Sequence, residues 1–204
     1  MITQTATRNY TPEEYLILEE QSETRNEYHN GKIIPMTGGT VNHNYILGNF
    51  CAYFKFAKKG QPYNVFMADI RLWITEYNRY IYPDIQIICG EIGYYKKRKD
   101  TIINPTVIVE VLSQSTEAYD KGDKFKYYRY IPSFQEYIII NQYQYEVEQY
   151  VKTEDNKWLV SYLESEESVL SLNSVEFDLP LLDLYEGVEF EVIDNAEVVD
   201  NPED

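Results

Sequence analysis

The chain has 204 residues, 44% of them apolar and 15% aromatic, with 21 tyrosines. That length suits one domain around a single large core, and the composition excludes a disordered chain. The formal charge of -16 is unevenly spread: residues 151–204 hold 16 acids and 2 bases, residues 1–150 hold 18 acids and 16 bases, so acidity does not exclude nucleic acid.

The N-terminus lacks the basic start and apolar centre of a signal peptide, and no stretch nears the roughly 18 apolar residues of a membrane span. A cytoplasmic chain with no membrane partner is expected. Cys51 and Cys89 lie far apart in apolar surroundings, without the spacing of a zinc or redox pair, and read as buried reduced thiols.

In chain order, Thr11-Pro12-Glu13-Glu14 opens a short helix to about Glu20, with Thr11 as cap and Glu14 closing a capping box. Residues 25–36 read as a β-hairpin turning at Asn30-Gly31. From Thr40 to Lys59 the apolar positions Val41, Tyr45, Ile46, Phe50, Tyr53, Phe54 and Ala57 recur at helical spacing, and Gly60 ends the pattern. Residues 63–74, 80–89 and 106–113 are strand-like runs rich in β-branched and aromatic residues. A second helix is expected over about 115–130, burying Tyr119, Phe125, Tyr127 and Tyr128 and stopped near Pro132. Residues 135–141, 144–151 and 157–164 then form a β-meander, a short helix follows Pro180, and residues 195–204 form an acidic tail beyond a single domain over 1–194.

The chemistry centres on Glu110. It shares one strand face with Ile108 and Leu112, where an unpaired carboxylate costs several kcal/mol. It therefore needs a cation, a hydrogen-bonding partner or a raised pKa. Asp84, after Pro83 and before the apolar run 85–89, poses the same question. Two carboxylates from two strands can share an oxygen-ligand site for magnesium, which with a lysine nearby is machinery for phosphodiester hydrolysis. A tyrosine or arginine could satisfy either carboxylate instead, and tyrosine is plentiful.

The order 83-PD-84, Glu110, then a lysine resembles the PD-(D/E)XK nuclease superfamily. Within it the chain is similar, over about Tyr10 to Phe190, to the Uma-two family of restriction-endonuclease-like bacterial proteins. The matching stretches are 11-TPEEYLILEE-20, 27-EYHNGKIIPM-36, 69-DIRL-72, 82-YPDIQIICGE-91, 104–140 and 178-DLPLLDLYEGVEF-190. The resemblance implies an α/β fold of the α+β kind, a restriction-endonuclease-like core with a mixed sheet flanked by helices, an N-terminal hairpin and a C-terminal meander. It implies a metal-dependent endonuclease acting on nucleic acid, DNA foremost, with magnesium or manganese held by Asp84, Glu110 and the Val111 carbonyl. The motif lysine is missing, because position 112 is Leu112. The resemblance moves it to the following helix, where Lys121, Lys124 and Lys126 are candidates and Lys124 is preferred. Glu27, His43 and Asp69 match as secondary candidates, while His29 is expected to be exposed.

The run 95-YKKRK-99 is the densest basic segment, and residues 94–130 carry eight bases against five acids. Lys96, Lys97, Arg98 and Lys99 are therefore candidate phosphate contacts. A homo-oligomer, a dimer first, is expected. The competing reading, prompted by Leu112 and the acidity, is a catalytically silent member that keeps the nuclease fold as a binding or assembly module.

Overall fold

The computed structural model describes residues 8–190, so the acidic tail expected over 195–204 lies outside the described residues. Two helices and two sheets build the part that positions the site. Helix α1 (Pro12–Glu20) starts on the full capping box, with the Thr11 hydroxyl accepting from the Glu14 amide and the Glu14 carboxylate accepting from the Thr11 amide. Strands β1 (Asn26–His29) and β2 (Lys32–Pro35) form the hairpin, and Asn30 and Gly31 take the positive φ values its two-residue turn requires. Helix α2 (Val41–Ala57) follows its Thr40 cap.

Then come β3 (Tyr63–Met67), β4 (Arg71–Ile74), β5 (Arg79–Ile81), β6 (Ile85–Cys89), β7 (Thr101–Ile102) and β8 (Val107–Leu112). Residues 117–128 are helical throughout: α3 (Glu117–Tyr119), a wider π-type turn (Asp120–Lys124) and α4 (Phe125–Tyr128). The meander is β9 (Glu136–Asn141), β10 (Val147–Lys152) and β11 (Trp158–Leu163), followed by a hairpin of β12 (Val169–Leu172) and β13 (Phe177–Pro180) and by α5 (Leu181–Leu184).

The strands form a five-stranded sheet in the order β2-β1-β5-β4-β7 and a six-stranded sheet in the order β11-β10-β9-β8-β6-β3. Both are mixed, each with one parallel pair, β4 with β7 and β8 with β9. The six-stranded sheet is covered on both faces. One face, with Ile85, Ile87, Val107, Val109, Val111, Ile138 and Ile140, packs on Ile46, Phe50 and Phe54 of α2 and on the β12/β13 hairpin and α5. The other, with Ile108, Leu112, Tyr137 and Ile139, packs on Tyr127 and Tyr128 and on Leu72, Ile74 and Ile81 of the other sheet. Burial on both faces explains why β8 reads as an unbroken apolar run.

Four expectations need correction. The runs 63–74 and 80–89 are each two strands, and the halves belong to different sheets. The chain leaves one sheet for the other at residues 68–70 and again at residues 82–84, and the Ala68 amide donates to the Asp84 carbonyl (2.9 Å). Along α2, Val41, Tyr45 and Ala57 are exposed while Leu47 and Cys51 take the buried stripe with Ile46, Phe50 and Phe54. Cys89 ends β6 and is exposed, leaving Cys51 as the buried thiol. His29 is half-buried beside Glu27. The β12/β13 hairpin was not foreseen.

Candidate functional site

A cleft of about 750 Å³ opens where the chain changes sheets. It is lined by Glu27 and His29 of β1, His43 of α2, Asp84 at the second crossing, Glu110 and Val111 of β8, and Tyr119, Asp120 and Lys124 of the helical stretch. Local sequence explains each placement. Pro83 keeps Tyr82 extended after β5, so that Asp84 comes immediately before β6. The β8 alternation puts Glu110 on the face of the helical stretch, and Asp120, Lys124 and Tyr128 recur every four residues along that stretch.

The two carboxylates meet. The Asp84 amide donates to Glu110 Oε2 (3.3 Å), and Asp84 Oδ2 accepts from the Val111 amide (2.8 Å) and lies 3.2 Å from His43 Nε2. Glu110 is 2% exposed. Its Oε1 accepts from the Tyr128 hydroxyl (2.6 Å) and lies 3.0 Å from Lys124 Nζ, which is also 2.9 Å from Asp120 Oδ1. On the far wall Glu27 Oε1 accepts from the Tyr82 amide (3.2 Å), and Glu27 Oε2 lies 2.7 Å from His29 Nε2, which Tyr119 approaches to 3.4 Å.

Burial pushes the Glu110 carboxyl up to about 8, against the pull of Lys124 and with the push of Asp84 and Asp120. Burial also opposes the charge of Lys124, yet Glu110, Asp120 and Glu27 hold its ammonium well above the usual lysine range. The two directions agree physically: three carboxyl groups around one ammonium keep that ammonium charged and leave one carboxyl reluctant to ionise.

Among the described residues no cluster of three or more His, Cys, Asp and Glu side chains has the geometry of a metal cage. The donor set still fits magnesium, which is commonly held by one or two carboxylates and keeps several waters. Among the described residues the hydrogen bonds to the Asp84 side chain all fall on Oδ2, and Glu110 Oε2 takes only the Asp84 amide. Asp84 Oδ1 and the second lone pair of Glu110 Oε2 therefore remain as hard oxygen donors.

Of the three lysines weighed from the sequence, Lys124 reaches Glu110. Lys121 pairs with Glu117 and Glu148, and Lys126 is exposed. Glu27 and His43 line the cleft, whereas Asp69 is exposed and paired with Arg25 (2.6 Å). Lys96, Lys97, Arg98 and Lys99 do not line it: Lys96 pairs with Glu13 and Arg98 with Glu20 and Asp100, against α1. Sequence reasoning missed Asp120, Tyr128 and His29. The four-residue spacing of Asp120, Lys124 and Tyr128 was the signal for the first two, and His29 had none beyond its place two residues after Glu27.

A family model described as "Putative restriction endonuclease", Uma2, matches residues 12–182. The chain belongs to the Uma2 family. The uncharacterized protein sll1609 of Synechocystis sp. is 37% identical to this Uma2 chain over 173 residues, 85% of this chain and 98% of its own. A second uncharacterized protein of that organism, slr1290, is 33% identical over 182 residues, 88% of this chain and 93% of its own. In fold, this Uma2 chain is similar to a crystal structure of a putative nuclease belonging to DUF820 from Anabaena variabilis. The TM-score is 0.71 at 18% identity, covering 87% of this chain and 98% of that one. Among the described residues no helix is long and apolar enough to cross a membrane.

Proposed function

We propose that this Uma2 protein is a metal-dependent endonuclease hydrolysing phosphodiester bonds of nucleic acid, DNA foremost, with magnesium or manganese as cofactor. The observation that carries this reading is the meeting of Asp84 and Glu110, from two separate chain segments, on one cleft with Lys124 Nζ 3.0 Å from Glu110. Asp84, Glu110 and the Val111 carbonyl would hold the cation. A divalent cation bound there supplies Lewis-acid stabilisation of a phosphoryl oxygen and a water of lowered pKa.

The chain's own residues do the rest. Lys124, arriving from the helix in place of a lysine at Leu112, offsets negative charge that grows on the phosphate. Tyr128 and the Asp84 amide fix the orientation of the Glu110 carboxylate. His43 and the Val111 amide do the same for Asp84, and Glu27 with His29 forms a polar wall across the cleft. Lys97 and Lys99, which have no ion-pair partner among the described residues, are available to phosphates beyond the cleft.

The test is cleavage of plasmid and linear DNA in magnesium or manganese by the wild type and Glu110→Ala. A loss of about 100-fold or more is expected, and equal activity would sink the reading. One observation favours the catalytically silent alternative: both Glu110 oxygens already accept hydrogen bonds from within the chain. Calorimetry decides between them, since a protein that takes up no divalent ion yet holds a macromolecular partner is the binding module.

A further inference from the structure

The six-stranded sheet ends at β11, which pairs only with β10. Four consecutive residues there, Leu159, Val160, Ser161 and Tyr162, are exposed, with Leu159 at 61% and Tyr162 at 60%. Leucine, valine and tyrosine alternating on an uncovered strand are unusual for an edge, which proteins ordinarily protect with charge, proline or a bulge. The stretch 158-WLVSYL-163 has none of these.

The register fixes which backbone groups are free. The Thr153 amide donates to the Lys157 carbonyl (2.8 Å) at the end of the β10/β11 ladder, so Lys157, Leu159, Ser161 and Leu163 direct their backbone groups toward β10. Trp158, Val160 and Tyr162 therefore direct theirs outward, and among the described residues no strand receives them.

We propose that this edge receives the same edge of a second copy, antiparallel, about a two-fold axis at Val160, joining two six-stranded sheets into one. A symmetric antiparallel pair requires facing residues that both direct backbone groups across the interface. The register centred on Val160 engages all three outward residues, with Val160 facing Val160 and Trp158 facing Tyr162 of the second copy, two hydrogen bonds per facing pair. Trp158 opposite Tyr162 is a favourable aromatic cross-strand pair. The inference is independent of the proposed nuclease activity, since β11 supplies no cleft residue.

Light scattering on the full chain should give a dimer. Val160→Pro removes an outward amide without touching the β10 ladder, and Tyr162→Lys places a charge on the edge. Each should raise the dimer dissociation constant by about tenfold or more, with the far-UV spectrum unchanged. Register is tested in a Cys89→Ser background. Facing hydrogen-bonded residues are about 5.5 Å apart between Cα atoms, within disulfide reach. Under oxidation Val160→Cys should therefore cross-link between copies. Tyr162→Cys should not, because its counterpart is about 13 Å away. A monomeric wild type overturns the proposal, and it is the result expected if residues 191–204 or a foreign strand takes the edge instead. Equal cross-linking of both cysteine variants, or of neither, also overturns it.

Discussion

Burial, with Asp84 and Asp120 close by, raises the pKa of the Glu110 carboxyl against the pull of the Lys124 ammonium. That pKa, about 8 in the folded chain, lies above its ordinary value of 4.5. A carboxyl whose pKa rises on folding stabilises the fold fully below its unfolded pKa and loses that contribution as pH climbs through the folded one. The metal-free wild type should therefore lose on the order of a few kcal/mol between about pH 4.5 and 8. Glu110→Gln, neutral at every pH and close in shape, should be nearly flat over that window. Urea unfolding at stepped pH measures both, and a flat wild-type curve would show that Glu110 enters the fold ionised.

At the scale of the element, the β1/β2 hairpin carries Glu27 and His29 to the cleft, and its turn depends on Gly31. That residue sits at φ +103°, and a Cβ there would meet Asn9 Oδ1 at 3.3 Å. Gly31→Ala should cost about 1–2 kcal/mol through backbone strain, read as a lowered urea midpoint with the slope preserved. No change would mean that the turn bears no strain. The elements most legible in the sequence were of this local kind: the capping box at Thr11, the Asn30-Gly31 turn, the Thr40 helix and the meander, each set by residues adjacent in the chain. Asp84 and Glu110 were legible because an acid inside an apolar run demands a partner. The sheet assignments were not, since alternation in residues 63–74 shows extended chain without naming its neighbour, and nothing but the positive φ of Ala68 marks the break. Nor was the stripe of α2 fully legible, because Val41 and Tyr45 are apolar yet lie on the exposed side.

Across the whole molecule, the basic residues are spent largely on structure. Arg71 and Arg98 share Asp100, and Lys121 bridges Glu117 and Glu148. Lys124 stands apart as the buried base of the cleft, and the crossings that place Asp84 beside it also tie the two sheets together. Backbone amides at the second crossing and on β8 end on the cleft's own carboxylates: Tyr82 on Glu27, Asp84 on Glu110, Val111 on Asp84. The protein thus carries its own isotope reporters. In deuterated water, a divalent ion seated on these carboxylates should slow exchange at the Tyr82, Asp84 and Val111 amides, because a ligand bound to the folded form suppresses local opening. Amides of β10 should keep their rate. Unchanged exchange at these three amides would place the ion elsewhere, and a site that no longer cuts would still answer the question.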